Sequence, residues 1–324
     1  MSIANSSMNK KFNFPVWSFA SLVAGSLFAA GMGLAALSPS VFAQDEVKQL
    51  SLTDGDAVLM TYNAAYVPSP DPAAPWFGRS GFIHPVYTPK GKIVTDGFPS
   101  DHMHHHGLMF AWTSAVFEGR DVDFWNSKKR QGRVEHVETL HADADKICVR
   151  LQHVIEREDK PLAVLQETWE LNRVPHESIH VFDLVSIQTC ATDRGLEIQK
   201  YHYGAMCIRG PLNWDSGDII LTSEGKKQPD GNHTRPNWVA MSGEVDGELC
   251  GIAAMSHPDN FRAPQPVRIH PQKPYFCFAP MVLGEFRLEP DKPYVSRFRF
   301  VAFDGEPDPE QLDLLWEAFA NGKK

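Results

Sequence analysis

The feature that most constrains this chain is a period-two alternation of apolar and polar residues in many short runs. It is clearest in Ala57–Tyr62, Lys146–Leu151, Leu165–Leu171, Ser178–Leu184 and Val295–Val301. Successive side chains of a strand point to opposite faces, so each run predicts a strand with one face in a core. Pro, Gly, Asn and Asp separate the runs at intervals typical of antiparallel sandwiches and barrels. We therefore predict an all-β fold, a large antiparallel β-sandwich.

One segment near the C-terminus has a helical pattern instead. Asp308–Phe319 begins with an aspartate that suits a helix N-cap, followed by a proline and an acidic first turn. Its large apolar residues fall on one helical face, namely Leu312, Leu315, Trp316 and Phe319. We predict a short C-terminal helix that packs on the sandwich through this face.

The N-terminus has the layout of a secretory signal peptide. Two lysines precede an apolar run over Val16–Leu37, and Val41–Ala43 places small residues at −3 and −1 of a cleavage site. We predict that residues 1–43 are removed and that 44–324 form a single domain, exported to the periplasm or beyond. The alternative is an uncleaved membrane anchor, because the apolar run is long enough to span a bilayer. No later run reaches that length, so we expect no stable membrane insertion of the mature chain.

Charge and cysteine content restrict the partners. The chain has 31 Lys+Arg against 40 Asp+Glu, a formal net charge of −9, and no basic cluster. Such a balance is unfavourable for nucleic acids and anionic membranes, so a small molecule or a glycan is the expected ligand.

The five cysteines form no CxxC pair and have wide spacings. They are expected to be small buried side chains rather than a disulfide framework, although one bridge among them stays open.

The segment D-H-M-H-H-H-G-L-M-F-A-W, Asp101–Trp112, has four histidines in five positions. If it is extended, His102, His104 and His106 share one face, and they become candidate ligands of a divalent metal such as zinc, copper or iron. Without a metal, His104 and His105 are candidate catalytic acids or bases, with Asp101 orienting one imidazole. A solvated loop is the third interpretation.

Other polar and aromatic residues end or follow apolar runs and are candidates for the same site. His257 and Glu285 are candidate catalytic partners. The candidate substrate-binding residues are His84, Trp112, Trp125, Arg209 and Asn260. An arginine can hold a carboxylate or hydroxyl groups, and a tryptophan can stack on a sugar ring. The alternatives are an ordinary ion pair, core packing and, around Asn260, a turn that closes a strand.

Taken together, these motifs resemble the PmoA-like family of exported bacterial proteins. The resemblance rests on Ile83–Gly91, Asp101–Gly107, Gly119–Trp125 and His257–Asn260, and it extends from about His84 to Gly305. At the place of His106 the family usually has arginine. The inherited label "methane oxygenase" fits poorly, because a monooxygenase subunit of that kind has several spanning helices and this mature sequence has none. The resemblance implies a mutarotase-like supersandwich whose concave sheet presents histidines, an arginine and a carboxylate to a sugar.

Three functions follow as hypotheses. The first is an exported carbohydrate-active enzyme of the epimerase, mutarotase or lyase type, with loop histidines as acid and Glu285 or His257 as base. The second is a metal-dependent enzyme, and the third is a non-catalytic sugar-binding module. All three place His104, Arg209 and His257 around one cavity, with at least two loop histidines directed at the same point.

Overall fold

A computed structural model describes residues 49–214 and 219–322. The predicted signal peptide lies outside the described residues. The strands within the described ranges are β1 (Gln49–Asp54), β2 (Ala57–Asn63), β3 (Phe82–Val86), β4 (Leu108–Ala111), β5 (Ala115–Phe117), β6 (Arg120–Val122), β7 (Gly132–Ala142), β8 (Lys146–Ile155), β9 (Leu162–Val174), β10 (His180–Cys190), β11 (Leu196–Ile198), β12 (Ala205–Arg209), β13 (Ile220–Thr222), β14 (Trp238–Val245), β15 (Glu248–Ser256), β16 (Val267–Ile269), β17 (Tyr275–Phe278), β18 (Phe286–Leu288) and β19 (Tyr294–Asp304). Short 3-10 turns occur at Pro75–Phe77, Ser127–Lys129, Leu212–Trp214 and Pro280–Leu283, and one α-helix, α1, spans Pro309–Asn321.

The strands form three sheets. A seven-stranded sheet has the order β1-β2-β3-β4-β12-β17-β16, and an eight-stranded sheet has the order β13-β14-β15-β19-β10-β9-β8-β7. A four-stranded sheet has the order β18-β11-β5-β6. The strand pairs described run antiparallel throughout, including the long β8–β9 and β10–β19 ladders. The predicted all-β, antiparallel fold class is confirmed.

The runs of alternating residues form strands with one buried face and one more exposed face, packed around one large core. In β8, the buried residues Ile147, Val149 and Leu151 alternate with partly exposed ones. This pattern is expected where one face of an antiparallel sheet packs inward. The main core cluster draws on all three sheets, and Tyr62 of β2 meets Trp169 of β9 with ring centroids 6.1 Å apart. The seven-stranded and eight-stranded sheets therefore pack face to face, as a sandwich.

The C-terminal helix forms as the sequence predicts. Asp308 caps it by accepting a hydrogen bond from the Gln311 amide at 3.1 Å, and a proline occupies the first turn. Leu312, Leu315, Trp316 and Phe319 belong to a second apolar cluster with residues of β14, β15 and β19. The helix thus covers an outer part of the eight-stranded sheet, and the predicted packing face is confirmed. Among the described residues, no helix has the length and hydrophobicity needed to cross a membrane.

All five cysteines are free thiols. Cys207 of β12 and Cys277 of β17 are direct partners in the antiparallel register, and both are fully buried. Burial raises the pKa of both thiols above the usual value. They therefore serve as small apolar core residues in this structure, in line with the interpretation of the sequence.

Candidate functional site

The histidine loop, defined as Asp101–His106, is a tight turn and not an extended segment. The His102 amide donates to the Pro99 carbonyl at 3.0 Å, and the His105 amide donates to the His102 carbonyl at 2.8 Å. Such local bonds coil the chain, so side chains at alternate positions no longer share a face. The predicted alternation of histidines along a strand is therefore wrong.

A glycine at the end of the histidine loop fixes its position. Gly107 has a φ of 59°, in the left-handed region that favours glycine. A Cβ at this position would lie 2.2 Å from the backbone oxygen of Ile83 in β3. The loop therefore rests directly on the backbone of the neighbouring strand.

The turn gathers three imidazoles and separates the fourth. The His102 and His105 rings stack with centroids 4.9 Å apart, and His104 meets His105 edge-on at 4.6 Å. His106 points elsewhere, with its ring 4.5 Å from Phe98 and its Nε2 donating to the Phe77 carbonyl at 2.9 Å. The predicted metal set His102, His104 and His106 is thus not assembled. Within the described ranges, no group of three or more His, Cys, Asp or Glu side chains has the geometry of a metal site.

Charged side chains surround the loop. Arg209, at the end of β12, is fully buried and donates from Nη2 to Asp101 Oδ1 at 3.0 Å. Lys273 Nζ lies 3.5 Å from the other carboxylate oxygen of Asp101. Burial by itself would raise the pKa of Asp101, but Arg209, His102 and Lys273 together lower it below the usual value. Arg209 Nη1 is buried and has no hydrogen-bond partner among the described residues, which is rare for a charged group in a folded protein.

Tyr275, the first residue of β17, and His270, in the turn between β16 and β17, complete the site. Tyr275, the register partner of Arg209, has its ring 4.5 Å from His105 and 5.6 Å from His102. His270 lies 5.9 Å from His102, ring to ring. Sequence analysis missed both residues and Lys273, because isolated polar residues in a turn form no pattern. Only the β12–β17 pairing brings them to the loop.

Burial keeps the imidazoles of His104, His105 and His270 neutral near neutral pH. Burial, with the neighbouring His102 as a smaller cause, lowers the pKa of His104 to about 4. Burial lowers the pKa of His105 well below the usual value, and it lowers that of His270 to about 4. Neutral imidazoles can accept protons or share hydrogen bonds with hydroxyl groups. The site therefore combines proton acceptors with a fixed cation.

A cavity of about 390 Å³ adjoins the histidine loop. We call it the arginine cavity, and its walls include Trp76, Phe77, Arg79, Phe124, Trp125 and Arg130. Two of these walls also touch the loop, because Trp125 lies 5.5 Å from the His105 ring and Phe77 lies 6.4 Å from the His104 ring. Of the predicted substrate-binding residues, Trp125 is the aromatic one that the structure places here. Arg79 gave no sequence signal, since it is a single charge in a glycine-flanked loop before β3.

The corner Ser256–Asn260 makes its described contacts away from the loop. The His257 ring packs edge-on against Phe319 of α1, with centroids 4.9 Å apart. The Asn260 side chain donates to Ser256 Oγ and to the Arg297 carbonyl and accepts from the Arg297 amide. The contacts described for His257 and Asn260 are with α1, Ser256 and β19, in the helix-covered part of the eight-stranded sheet, and their convergence with the loop stays a prediction.

The other predicted residues are also dispersed. Trp112 is fully buried in the core and donates from Nε1 to Gln188 Oε1 at 2.7 Å, so it is a packing residue. Glu285 is exposed, and its contact described here is through its carbonyl, which accepts from Arg262. His84 Nδ1 is 3.0 Å from Thr95 Oγ1, and its ring borders a separate open groove that also includes Asp96. Burial lowers the pKa of His84 to about 4.

The strands, the helix and the loop define an all-β antiparallel protein with a histidine-rich site. A model of the family of unknown function DUF6807 matches residues 49–317, and the chain belongs to this family. No curated protein matches it in sequence.

Two solved structures show a distant likeness. One is heparan sulfate lyase HepC from Pedobacter heparinus, with 10% identity and a TM-score of 0.34, covering 77% of this chain and 33% of the lyase. The chain thus spans about a third of the lyase's length. The other is a galactose mutarotase related enzyme from Lactobacillus acidophilus, with 9% identity and a TM-score of 0.37, covering 78% and 97% of the two chains. Neither likeness assigns a residue or an activity to this chain.

Proposed function

We propose that this protein is an exported carbohydrate-active enzyme in which the histidine loop performs acid–base catalysis of the epimerase, mutarotase or lyase type. One observation supports it most. Three imidazoles with mutual ring contacts lie beside a buried arginine that has an unused N–H group. Buried polar atoms without partners are rare in folded proteins and concentrate at functional sites. The proposal includes the resemblance to the PmoA-like family, but not the oxygenase activity that the family's inherited label names.

His104 is the proposed base. It is only partly buried, and its low pKa keeps the ring neutral and able to accept a proton. Asp123 and Asp101 raise the pKa of His104 slightly against the effect of burial, so they would stabilise the imidazolium that forms. Arg209 Nη1 would stabilise negative charge that develops on a sugar oxygen.

Tyr275 is the proposed acid, whereas the sequence analysis assigned loop histidines as acid and Glu285 or His257 as base. Burial raises the pKa of Tyr275 above the usual value, so the phenol stays protonated and can donate. A neutral imidazole and a protonated phenol in one site are two groups with well-separated pKa values, as proton transfer on a sugar requires. In a mutarotase-type step, His104 would take the proton of the anomeric hydroxyl while Tyr275 gives its proton to the ring oxygen and the ring C–O bond breaks. When the ring closes on the other face, His104 returns its proton to the new anomeric hydroxyl and Tyr275 regains its own.

The test is a panel of mono- and oligosaccharides offered to the exported protein, with binding and turnover measured separately. We expect His104→Gln to lower kcat by about 10²–10⁴-fold, the usual contribution of a positioned base, with little change in sugar affinity. His257→Gln is the matched control and should keep its activity, since that ring packs on the C-terminal helix.

The outcomes separate the three functions. Full turnover by His104→Gln would refute the assigned base. Sugar binding without turnover by the native protein would instead identify a binding module. Activity that a chelator removes and zinc, copper or iron restores would favour the metal-dependent enzyme.

A further inference from the structure

The arginine cavity contains buried polar atoms that the protein does not satisfy. Arg79 Nε, His106 Nδ1, Trp76 Nε1 and Ser127 Oγ belong to its lining residues, and none has a hydrogen-bond partner among the residues the structure describes. A buried polar group without a partner costs about 1–3 kcal/mol. Four such atoms around one cavity therefore indicate a ligand that supplies the missing partners.

The cavity lining has a net positive charge, because Glu156 pairs with Arg133 and leaves Arg79 and Arg130. Arg79 is 7% exposed, and its described hydrogen bond goes from Nη2 to the neutral carbonyl of Phe110. Burial lowers the pKa of Arg79 to about 10, opposed mainly by Glu167. Arg130 sits 4.5 Å above the Trp76 ring and forms no ion pair within the described ranges.

Glu167 is already committed elsewhere. Its carboxylate accepts hydrogen bonds from Ser186 Oγ, Trp169 Nε1 and Gln188 Nε2 and lies 2.8 Å from His153 Nε2. Glu167 offsets part of the cost of burying Arg79, but no hydrogen bond or ion pair between the two side chains is described, so Arg79 has no direct anionic partner among the described residues. A buried charge without such a partner is costly, which favours an anionic ligand.

The hydrogen-bonding character of the lining points to hydroxyl groups as well as an anion. His106 Nε2 donates to the Phe77 carbonyl, so in the neutral ring Nδ1 must be an acceptor. Arg79 Nε and Trp76 Nε1 are donors, and Ser127 Oγ is both. A bare inorganic anion can use only the donors, whereas a sugar hydroxyl can donate to Nδ1. Trp76 and Trp125 offer flat apolar surfaces of the kind that sugar rings contact.

We infer that the arginine cavity binds an acidic sugar residue, with Arg79 and Arg130 taking its carboxylate or sulfate group. The cavity volume of about 390 Å³ is within the range of small-molecule sites. Its shared walls Phe77 and Trp125 would place that residue beside His104 and His105. The sugar part of this inference rests on the proposed function, whereas the preference for an anion does not.

The experiment compares matched sugars by calorimetry on the full exported chain. The probes are glucuronate, which has a carboxylate, glucose, which has a hydroxymethyl group instead, and glucose 6-sulfate. We expect the acidic probes to bind about 10- to 100-fold more tightly than glucose, as charge-assisted hydrogen bonds imply. The acidic probe with the higher affinity shows whether the cavity prefers a carboxylate or a sulfate group.

The variants are chosen to test the charge and to survive folding. Arg79→Gln should remove most of the preference for acidic probes and leave glucose binding unchanged. Because Arg79 is buried, Arg130→Gln serves as the second variant and should weaken acidic probes about threefold to tenfold through a partly exposed charge. Arg194→Gln is the control, since this exposed arginine does not line the cavity.

Equal affinity for glucuronate, glucose 6-sulfate and glucose would overturn the inference, as would no binding of any probe or unchanged affinity in Arg130→Gln. Failure of the proposed function looks different. A protein that prefers acidic sugars but turns over none supports the cavity assignment and refutes the enzyme. One that turns over neutral sugars without any acidic preference does the opposite.

Discussion

The histidine loop and the His257 corner are two histidine-bearing turns next to prolines, and the protein treats their polar atoms in opposite ways. In the corner, the Asn260 side chain binds Ser256 and both backbone polar groups of Arg297. In the loop, the buried Nδ1 of His105 has no hydrogen-bond partner among the described residues. Satisfied polar groups stabilise a fold, whereas unsatisfied ones reduce stability and are retained where they serve a ligand. The His257 corner is therefore a turn that stabilises the fold, whereas the histidine loop is a candidate active site.

The largest effect should come from removing the brace. Asn260→Ala leaves the amide of Arg297 without its partner, while the Arg297 carbonyl keeps the His257 amide as a donor. One unpaired group of this kind costs about 1–3 kcal/mol, so we expect the free energy of unfolding to fall by that amount, measured by urea titration, with normal turnover per folded molecule.

Asn213→Ala is the matched control for the brace. Asn213 is exposed and makes one described hydrogen bond, to the Glu244 carbonyl at 3.2 Å, so its loss should cost less than about 0.5 kcal/mol. If Asn260→Ala were as stable as Asn213→Ala, the corner would not be a structural brace.

For the histidine loop, we expect an effect on the pH dependence of stability. Between pH 6.5 and about 4, an unfolded histidine binds a proton that the folded His104 does not. The free energy of unfolding must therefore fall as pH falls through this window, by up to about 1.4 kcal/mol per pH unit for that imidazole. Above the unfolded pKa the contribution is constant, so His104→Gln should give a shallower slope from pH 6.5 to 4.5 and the same slope near pH 8.

Urea titrations of the native protein and His104→Gln at several pH values measure this difference. Parallel pH dependences for the two proteins would mean that His104 is not held neutral by the fold. The loop would then be a solvated turn, and the contrast with the corner would disappear.

The smallest expected effect concerns Asp101. Its carboxylate raises the pKa of His104, so Asp101→Asn should lower that pKa further, by less than about one unit because Asp123 and burial act on it too. An NMR titration of the His104 ring follows this directly. Asp121→Asn, at an exposed carboxylate on β6, is the control and should leave the titration unchanged. An unchanged or raised His104 pKa in Asp101→Asn would show that the Asp101 carboxylate does not act on this ring.

The fold was predictable because its signals are local. Alternation marks β8, β9, β10 and β19, and an aspartate followed by a proline marks the start of α1. The loop was predictable only as a cluster. Its turn hydrogen bonds send His106 away from His102 and His104, and a period-two pattern carries no information about such a turn.

The partners of the loop were not predictable, for a physical reason. Arg79 is far along the chain from His270 and Tyr275, and antiparallel pairing within the seven-stranded sheet brings the three single polar residues to one region. The sequence singled out His257 and Asn260 because they end a buried strand. The surroundings of such a strand end depend on the strand register and on the packing of α1 over the sheet. The residues next to His257 and Asn260 in the sequence carry no information about either.

The contact of Gly107 with the backbone of β3 has a thermodynamic consequence for any ligand of the loop. Because the loop leans on a strand at a point where not even a methyl group fits, its imidazoles have little freedom to rearrange. Fixing mobile side chains on binding usually costs about 0.5–1.5 kcal/mol for each one. Here much of that ordering is completed when the sheet folds, so a sugar would meet a surface that is already ordered. The entropic cost of ordering the loop therefore reduces the stability of the fold and not the affinity for the ligand.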